Sequence, residues 1–136
     1  MTSNERFLTL EKSELIEVRK LHESTIGIAT KGIFYKQGQM IGNRIFNECV
    51  SDIRRTFEIL EEYLKSAGWV RDVKFYENTV VVKGSIEQKD GDKSTCDTLR
   101  GIFSQVYENY LGIPVFCREA ECESTGKEMC IFEIVE

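Results

Sequence analysis

Cys117-Arg-Glu119-Ala-Glu-Cys122-Glu-Ser-Thr-Gly126-Lys-Glu-Met-Cys130-Ile-Phe-Glu-Ile-Val135 is the stretch whose reading decides the fold. Two short runs with strand character flank a polar turn centred on Gly126, which predicts a hairpin. Cysteine opens and closes the turn, and Glu119 stands three positions before Cys122. A hairpin with thiolates at both ends of its loop can pinch a metal ion. Cysteine sulfur and carboxylate oxygen are both zinc ligands, and three thiolates with one more group complete a tetrahedron. The remaining ligand is at hand in Cys96, at the head of a predicted helix, where free backbone N–H groups favour a thiolate. Two plainer readings stand beside this one. Free cysteine is among the most buried residue types, so five in 136 residues can be ordinary core. Cys122 and Cys130 can also close a cross-hairpin disulfide, and C-x7-C is not one of the tight zinc-knuckle spacings. The metal reading carries a structural demand of its own. Residues three apart point to opposite faces of a regular strand, so Glu119 and Cys122 need a bulge or early turn between them, or else Cys117 replaces Glu119.

The pattern Glu119-x2-Cys122-x7-Cys130, with Cys96 standing 23 residues before the glutamate, resembles the 4-vinyl-reductase domain family. That family includes the phenol- and xylene-sensing domains of bacterial transcriptional activators, and it shares a ligand-binding fold with NO-signalling and Golgi-transport proteins. The resemblance runs from Lys31 to Glu136 and implies that Cys96, Glu119, Cys122 and Cys130 hold a structural zinc. Four protein ligands leave no open position, so such an ion does not activate water. By ligand count the site carries a formal charge of about −2. Backbone N–H groups of the turn, with Arg118 or Lys127, are expected to offset it.

Bulk properties narrow the classes. A chain of 136 residues suits one domain with one real core, here 1–136 as a single unit. Hydrophobic and charged fractions of 41% and 30% are those of a soluble globular protein. A net charge of −5 argues against a nucleic-acid-binding face, which needs clustered Lys and Arg. No apolar run approaches a membrane span, and Met1-Thr-Ser-Asn-Glu-Arg6 lacks the apolar stretch of a secretory signal. Reduced thiols without an export signal point to the cytoplasm.

Working back from the hairpin, Leu99, Ile102, Phe103, Val106 and Tyr110 stripe a helix from Thr95 or Cys96 to Tyr110, stopped by Gly112-Ile-Pro114. Family members resemble Cys96-Asp-Thr-Leu-Arg-Gly101 at this helix start. Glu87 to Thr95 reads as a mobile surface loop, whose Asp90, Asp92 and Asp97 do not form an EF-hand calcium pattern. Trp69–Tyr76 and Thr79–Ile86 have the period of strands, joined by a tight turn at Glu77-Asn78. Residues 51–67 form a helix with Ser51 or Asp52 as cap, Gly68 as stop and Ile53, Phe57, Leu60 and Leu64 inward. Thr30 to Val50 is another helix, in which Gly38 and Gly42 share one face. Glycine costs about 1 kcal/mol in a helix interior, so the pair signals close approach by a neighbour. Phe7–Leu10 and Leu15–Val18 alternate as short strands, and His22, the lone histidine, reads as an exposed or capping residue. The predicted fold is α/β: a single domain, an antiparallel sheet packed against helices, with a C-terminal metal-binding hairpin.

As to function, the family resemblance implies a non-catalytic sensor or regulatory domain whose interior takes an apolar or aromatic small molecule. Candidate ligand-binding residues are Phe34, Tyr35, Gly38, Phe46, Trp69, Phe75, Phe103 and Tyr107, each of which also serves as plain core. Aromatic-sensing relatives use a His and a Trp for the ligand hydroxyl, and this pair does not carry over here. A signal would pass to a separate protein, and a homodimer is expected, with a partner covering the N-terminal segment. Two alternatives come with the resemblance. One is an enzyme or accessory of tetrapyrrole vinyl reduction, although the chain has no nucleotide-binding glycine motif after a strand. The other is a structural adaptor resembling Golgi transport-particle subunits.

Overall fold

Three glycines set how the two long helices meet. In the computed structural model, which describes residues 6–50, 55–91 and 93–136, α2 (Ala29–Cys49) and α4 (Asp97–Leu111) approach to backbone contact. A Cβ on Gly38 would stand 2.0 Å from the Thr98 carbonyl oxygen, and one on Gly101 2.0 Å from that of Tyr35. One on Gly42 would meet the Ile102 carbonyl oxygen at 2.7 Å. The close approach expected from Gly38 and Gly42 is therefore helix-on-helix packing, with Gly101 as its counterpart on α4.

On its other side α4 faces a four-stranded antiparallel sheet of order β1-β2-β4-β3, formed by β1 (Asp72–Phe75), β2 (Thr79–Lys83), β3 (Phe116–Glu121) and β4 (Cys130–Val135). Period-two burial follows from one covered face: Val73, Val80, Val82, Cys117, Phe132 and Ile134 are buried, whereas Val81, Ile131 and Glu133 between them are only partly covered. The core joins these residues to Leu99, Ile102, Phe103, Val106 and Tyr107 of α4, Ile45 of α2 and Leu60 and Leu64 of α3 (Thr56–Ser66). Fully burying a side chain of this size contributes about 1.5–3 kcal/mol. Helix α4 ends where Gly112 turns left-handed at φ 75° and donates its N–H to the Glu108 carbonyl at 2.8 Å, just before Pro114.

The single α/β domain with an antiparallel sheet on helices is as expected, and four local readings change. Leu15–Val18 is not a strand but part of α1 (Lys12–Ile26). Four residues fit period two and period 3.6 alike, whereas Leu15, Ile16, Arg19, His22 and Glu23 are the covered residues and recur at helical spacing. Helix α1 starts where the Glu14 carboxylate accepts the Glu11 N–H at 2.9 Å, half of a capping box. Phe7–Leu10 has no regular structure and is exposed. Lys83–Ile86 does not extend β2, because Gly84 turns away at φ 70°. Residues 87–95 are not simply a surface loop, since Thr95 is buried and Glu87 reaches into α4. The proposed caps Ser51 and Asp52, with Ile53, lie outside the described residues, as does Asp92. Among the described residues, no helix is long and apolar enough to cross a membrane.

Candidate metal centre and adjoining cavity

Four side chains from three elements converge at the end of α4. Cys96 immediately precedes the helix, Glu119 lies on β3, Cys122 follows β3, and Cys130 begins β4. Their ligand atoms all lie within 4.8 Å of one another. Strand β3 meets the geometric demand raised above: its pairing with β4 slips between Glu119 and Glu121, and this bulge carries Glu119 and Cys122 to the same side. Cys96 Sγ stands 3.8 Å from Cys122 Sγ and 3.9 Å from Cys130 Sγ. Sulfurs bound at about 2.3 Å to one tetrahedral ion lie about 3.8 Å apart, so the spacing fits zinc without rearrangement. Both carboxylate oxygens of Glu119 are buried and accept no hydrogen bond. A buried polar group with no partner is costly, and a cation among the three sulfurs would satisfy this one.

The protons are held unequally. Hydrogen bonds from the Cys130 and Cys96 thiols push Cys122 down, favouring its thiolate. The same contacts with Cys122 push Cys96 and Cys130 up. Burial, then the neighbouring Cys122, pushes the Glu119 carboxyl up. A divalent cation would displace these protons as it bound.

Around the ligands, short-range donors replace the expected basic residues. The Glu123 N–H points to Cys130 Sγ at 3.3 Å, Ser85 Oγ lies 3.2 Å from Cys96 Sγ, and the Thr95 backbone and Ser124 side chain hydrogen-bond Cys122. Glu123 in turn accepts the N–H groups of Gly84 and Ser85 at 3.0 and 3.1 Å, fastening the turn to the end of β2. Arg118 instead pairs with Glu133 at 2.6 Å on the exposed face. Cys117, the alternative to Glu119, lies outside the four-residue group. It is wholly buried, with its N–H on the Tyr35 hydroxyl and its carbonyl on Arg100. Cys49 is buried as well, and burial pushes its thiol up to about 11.

A second feature lies beside this corner. A cavity of about 160 Å³ opens between α1, α2 and the segments at Trp69 and Glu87. Leu10, Leu15, Ile16, Phe34, Ile41 and Trp69 form its apolar wall, with Arg19, Gln37, Glu87 and Thr98 as polar neighbours. Of the eight ligand candidates, Phe34 and Trp69 reach this cavity. Gly38 lies in the α2–α4 contact, and Tyr35 stacks on Arg100 with its guanidinium 4.2 Å from the ring centre. Phe75 packs against Phe103 and Tyr107 with ring centres 5.6 and 6.1 Å apart, and Phe46 is buried in the core. His22 sets its ring edge-on to Phe34 at 5.2 Å and donates Nδ1–H to the Val18 carbonyl.

Two residues here were not singled out from sequence. Arg19, nearly fully buried, donates to Asp97 at 2.7 Å, to the Thr95 carbonyl at 2.9 Å and to Glu23 at 3.1 Å. Glu87 accepts the N–H groups of Thr98 and Leu99 at 3.1 and 2.9 Å. Burial pushes its carboxyl up to about 7 against these hydrogen bonds. A charged residue in an apolar helix face and an acid in a polar run were the only signals, and neither names a partner.

Residues 77–136 match the family model of the 4-vinyl-reductase domain. Two solved structures resemble nearly the whole chain. The phenol-responsive sensory domain of the transcription activator PoxR, solved with phenol, superposes with a TM-score of 0.81 at 18% identity, over 96% of this chain and 77% of that one. A vinyl-4-reductase family protein from Methanocaldococcus jannaschii gives a TM-score of 0.66 at 16% identity, over 96% of this chain and 83% of that one. No curated protein matches the sequence.

Proposed function

From the premise that the chain carries a 4-vinyl-reductase domain over residues 77–136, we propose that it is a non-catalytic sensory domain binding a small apolar or aromatic molecule, braced by structural zinc. The cavity between α1 and α2 is the observation that carries the ligand reading. Its volume of about 160 Å³ is close to that of an apolar protein cavity, ~150 Å³, that admits benzene. An apolar wall with a few orienting polar groups is the usual make-up of such sites. The two structural relatives add that the fold in one of them houses a sensory domain for phenol.

Cys96, Glu119, Cys122 and Cys130 would hold the zinc, the sulfur spacing and the unpartnered Glu119 carboxylate being what supports it. Bound there, the ion is a cross-link between the start of α4 and the β3–β4 hairpin, with no position left for water. Ligand occupancy would alter how α1 sits on α2, and a separate protein would read that change. We also propose a homodimer in the cytoplasm, in which a second copy covers apolar residues such as Leu8, Ile28 and Met40, exposed at 84%, 90% and 76%.

Native mass spectrometry of freshly purified protein tests metal, copy number and retained small molecule together. We expect one zinc per chain and, in a thermal-shift panel, stabilisation by single-ring molecules, about 2.7 kcal/mol at a hundredfold excess over Kd. Ile41→Trp, which fills the cavity, should abolish that shift. A panel of aromatics, lipids and tetrapyrroles without any shift would overturn the sensory reading and leave the adaptor reading ahead.

A further inference from the structure

The cavity is apolar on most sides, and Glu87 is its chemical exception. The Thr98 and Leu99 N–H groups hold this carboxylate at 3.1 and 2.9 Å, doing for α4 what its preceding residue Cys96 does not, since Cys96 makes no side-chain cap. The carboxylate is thereby fixed while it forms part of the cavity wall. Among the described residues no Lys or Arg forms an ion pair with it. Arg19 on the same wall is committed to Asp97, Glu23 and the Thr95 carbonyl, and Lys89 lies 3.9 Å from Glu23. A carboxylate has about four lone-pair sites, more than two backbone donors occupy. Water is scarce around it, which is also why its proton is held more tightly than usual.

We infer that the cavity selects single-ring-sized apolar molecules that carry one hydrogen-bond donor, and that Glu87 is the acceptor that recognises the donor. The inference rests on the sensory reading above and names its ligand class. The donor is a neutral hydroxyl or a protonated amine, which a fixed carboxylate accepts alike. An apolar molecule lacking it leaves Glu87 facing hydrocarbon with part of its acceptor capacity unused.

Isothermal calorimetry on the zinc-loaded protein, with ethylbenzene, benzyl alcohol and benzylamine as probes of one shape, tests this. In a purely apolar cavity the alcohol and amine lose their hydration without return, and ethylbenzene binds at least about tenfold tighter than either. With Glu87 as acceptor, the alcohol or the amine binds as tightly as ethylbenzene or tighter, and which of them does so identifies the donor as neutral or cationic. Glu87→Gln should weaken that probe about tenfold or more and leave ethylbenzene within about threefold. Should the variant fail to fold, the wild-type comparison of alcohol with its methyl ether stands in its place: the ether, lacking the donor, should bind at least about tenfold more weakly. Ethylbenzene binding alone overturns the inference while keeping the sensory reading. Binding by none of the three overturns both.

Discussion

The same substitution should have opposite effects at two glycines of one helix. Gly32 and Gly38 both lie in α2. Around Gly32 an added Cβ meets nothing within 4 Å, so alanine there should stabilise by about 0.5–1 kcal/mol through reduced backbone freedom in the unfolded chain. At Gly38 the Cβ would stand 2.0 Å from the Thr98 carbonyl oxygen and 2.9 Å from the Gly101 Cα. Carbon and oxygen at rest need about 3.2 Å or more, and both obstacles are backbone, so α2 and α4 must separate by roughly an ångström. Overpacking of this kind costs about 1–3 kcal/mol, and the largest helix contact in the molecule belongs at the upper end of that range or beyond. Less about 1 kcal/mol of helix propensity, the net loss is about 2 kcal/mol. At roughly 4 °C per kcal/mol for a domain of this size, Gly38→Ala should lower Tm by about 8 °C and Gly32→Ala should raise it by about 3 °C. Calorimetry of the two zinc-loaded variants measures both. A Gly38→Ala variant within about 2 °C of wild type would show that the helices part freely, and the packing account of these glycines would fail.

Three other outcomes follow from described contacts. Cys122→Ser should reduce zinc to under about half an equivalent and lower Tm with it, because structural metal binding is folding free energy, whereas Cys49→Ser should keep full zinc by elemental analysis. Glu87 holds its proton up to about pH 7 when folded, against about 4.3 for an unfolded glutamate, so its contribution to stability is greatest in acid and declines as pH rises between those values. The total decline is about 3 kcal/mol, and the wild-type minus Glu87→Gln difference in urea melts should trace it; parallel curves would refute it. Arg19→Met should loosen α1, because a buried ion pair broken on one side costs about 3 kcal/mol even with Arg100 and Lys31 still beside Asp97. Amide exchange in residues 12–26 should rise selectively, and unchanged protection there would count against the clamp.

What could be read from the chain in advance, and what could not, divides along the range of the causes involved. Glu119, Cys122 and Cys130 sit on one hairpin, where local turn geometry bounds their separation, and Cys96 is marked by the helix start behind it. Gly38 was legible because glycine inside a helix needs a reason, and the commonest is a neighbour's backbone. Helix α1 was not legible in a four-residue window, and its identity shows only when Arg19, His22 and Glu23 are seen to share a face with Leu15. The expected ring-lined pocket failed to separate core from cavity: Phe75, Phe103 and Tyr107 pack on one another, and aromatic composition carries no information on that choice. Glu87 and Arg19 were opaque for a different reason. Their meaning depends on groups on α4, Arg19 finding Asp97 at a sequence distance of 78, and a polar side chain does not announce a partner that far away.

Strand β4 comes last in chain order, yet it lies between β2 and β3 and supplies the partner of both. During synthesis the β1–β2 hairpin can pair at once, but β3 leaves the ribosome with no strand beside it. At ~5–20 residues per second it waits roughly a second for Cys130–Val135 to follow. Through that interval the inner edges of β2 and β3 are open to any passing strand, and Cys96, Glu119 and Cys122 are without their fourth companion. The arrival of one short segment then closes the sheet and brings Cys130 to its companions in the same event. Translation thus ends the assembly of this domain with a latch rather than a gradual zipper, and the moment at which zinc becomes useful is the moment at which the sheet becomes whole.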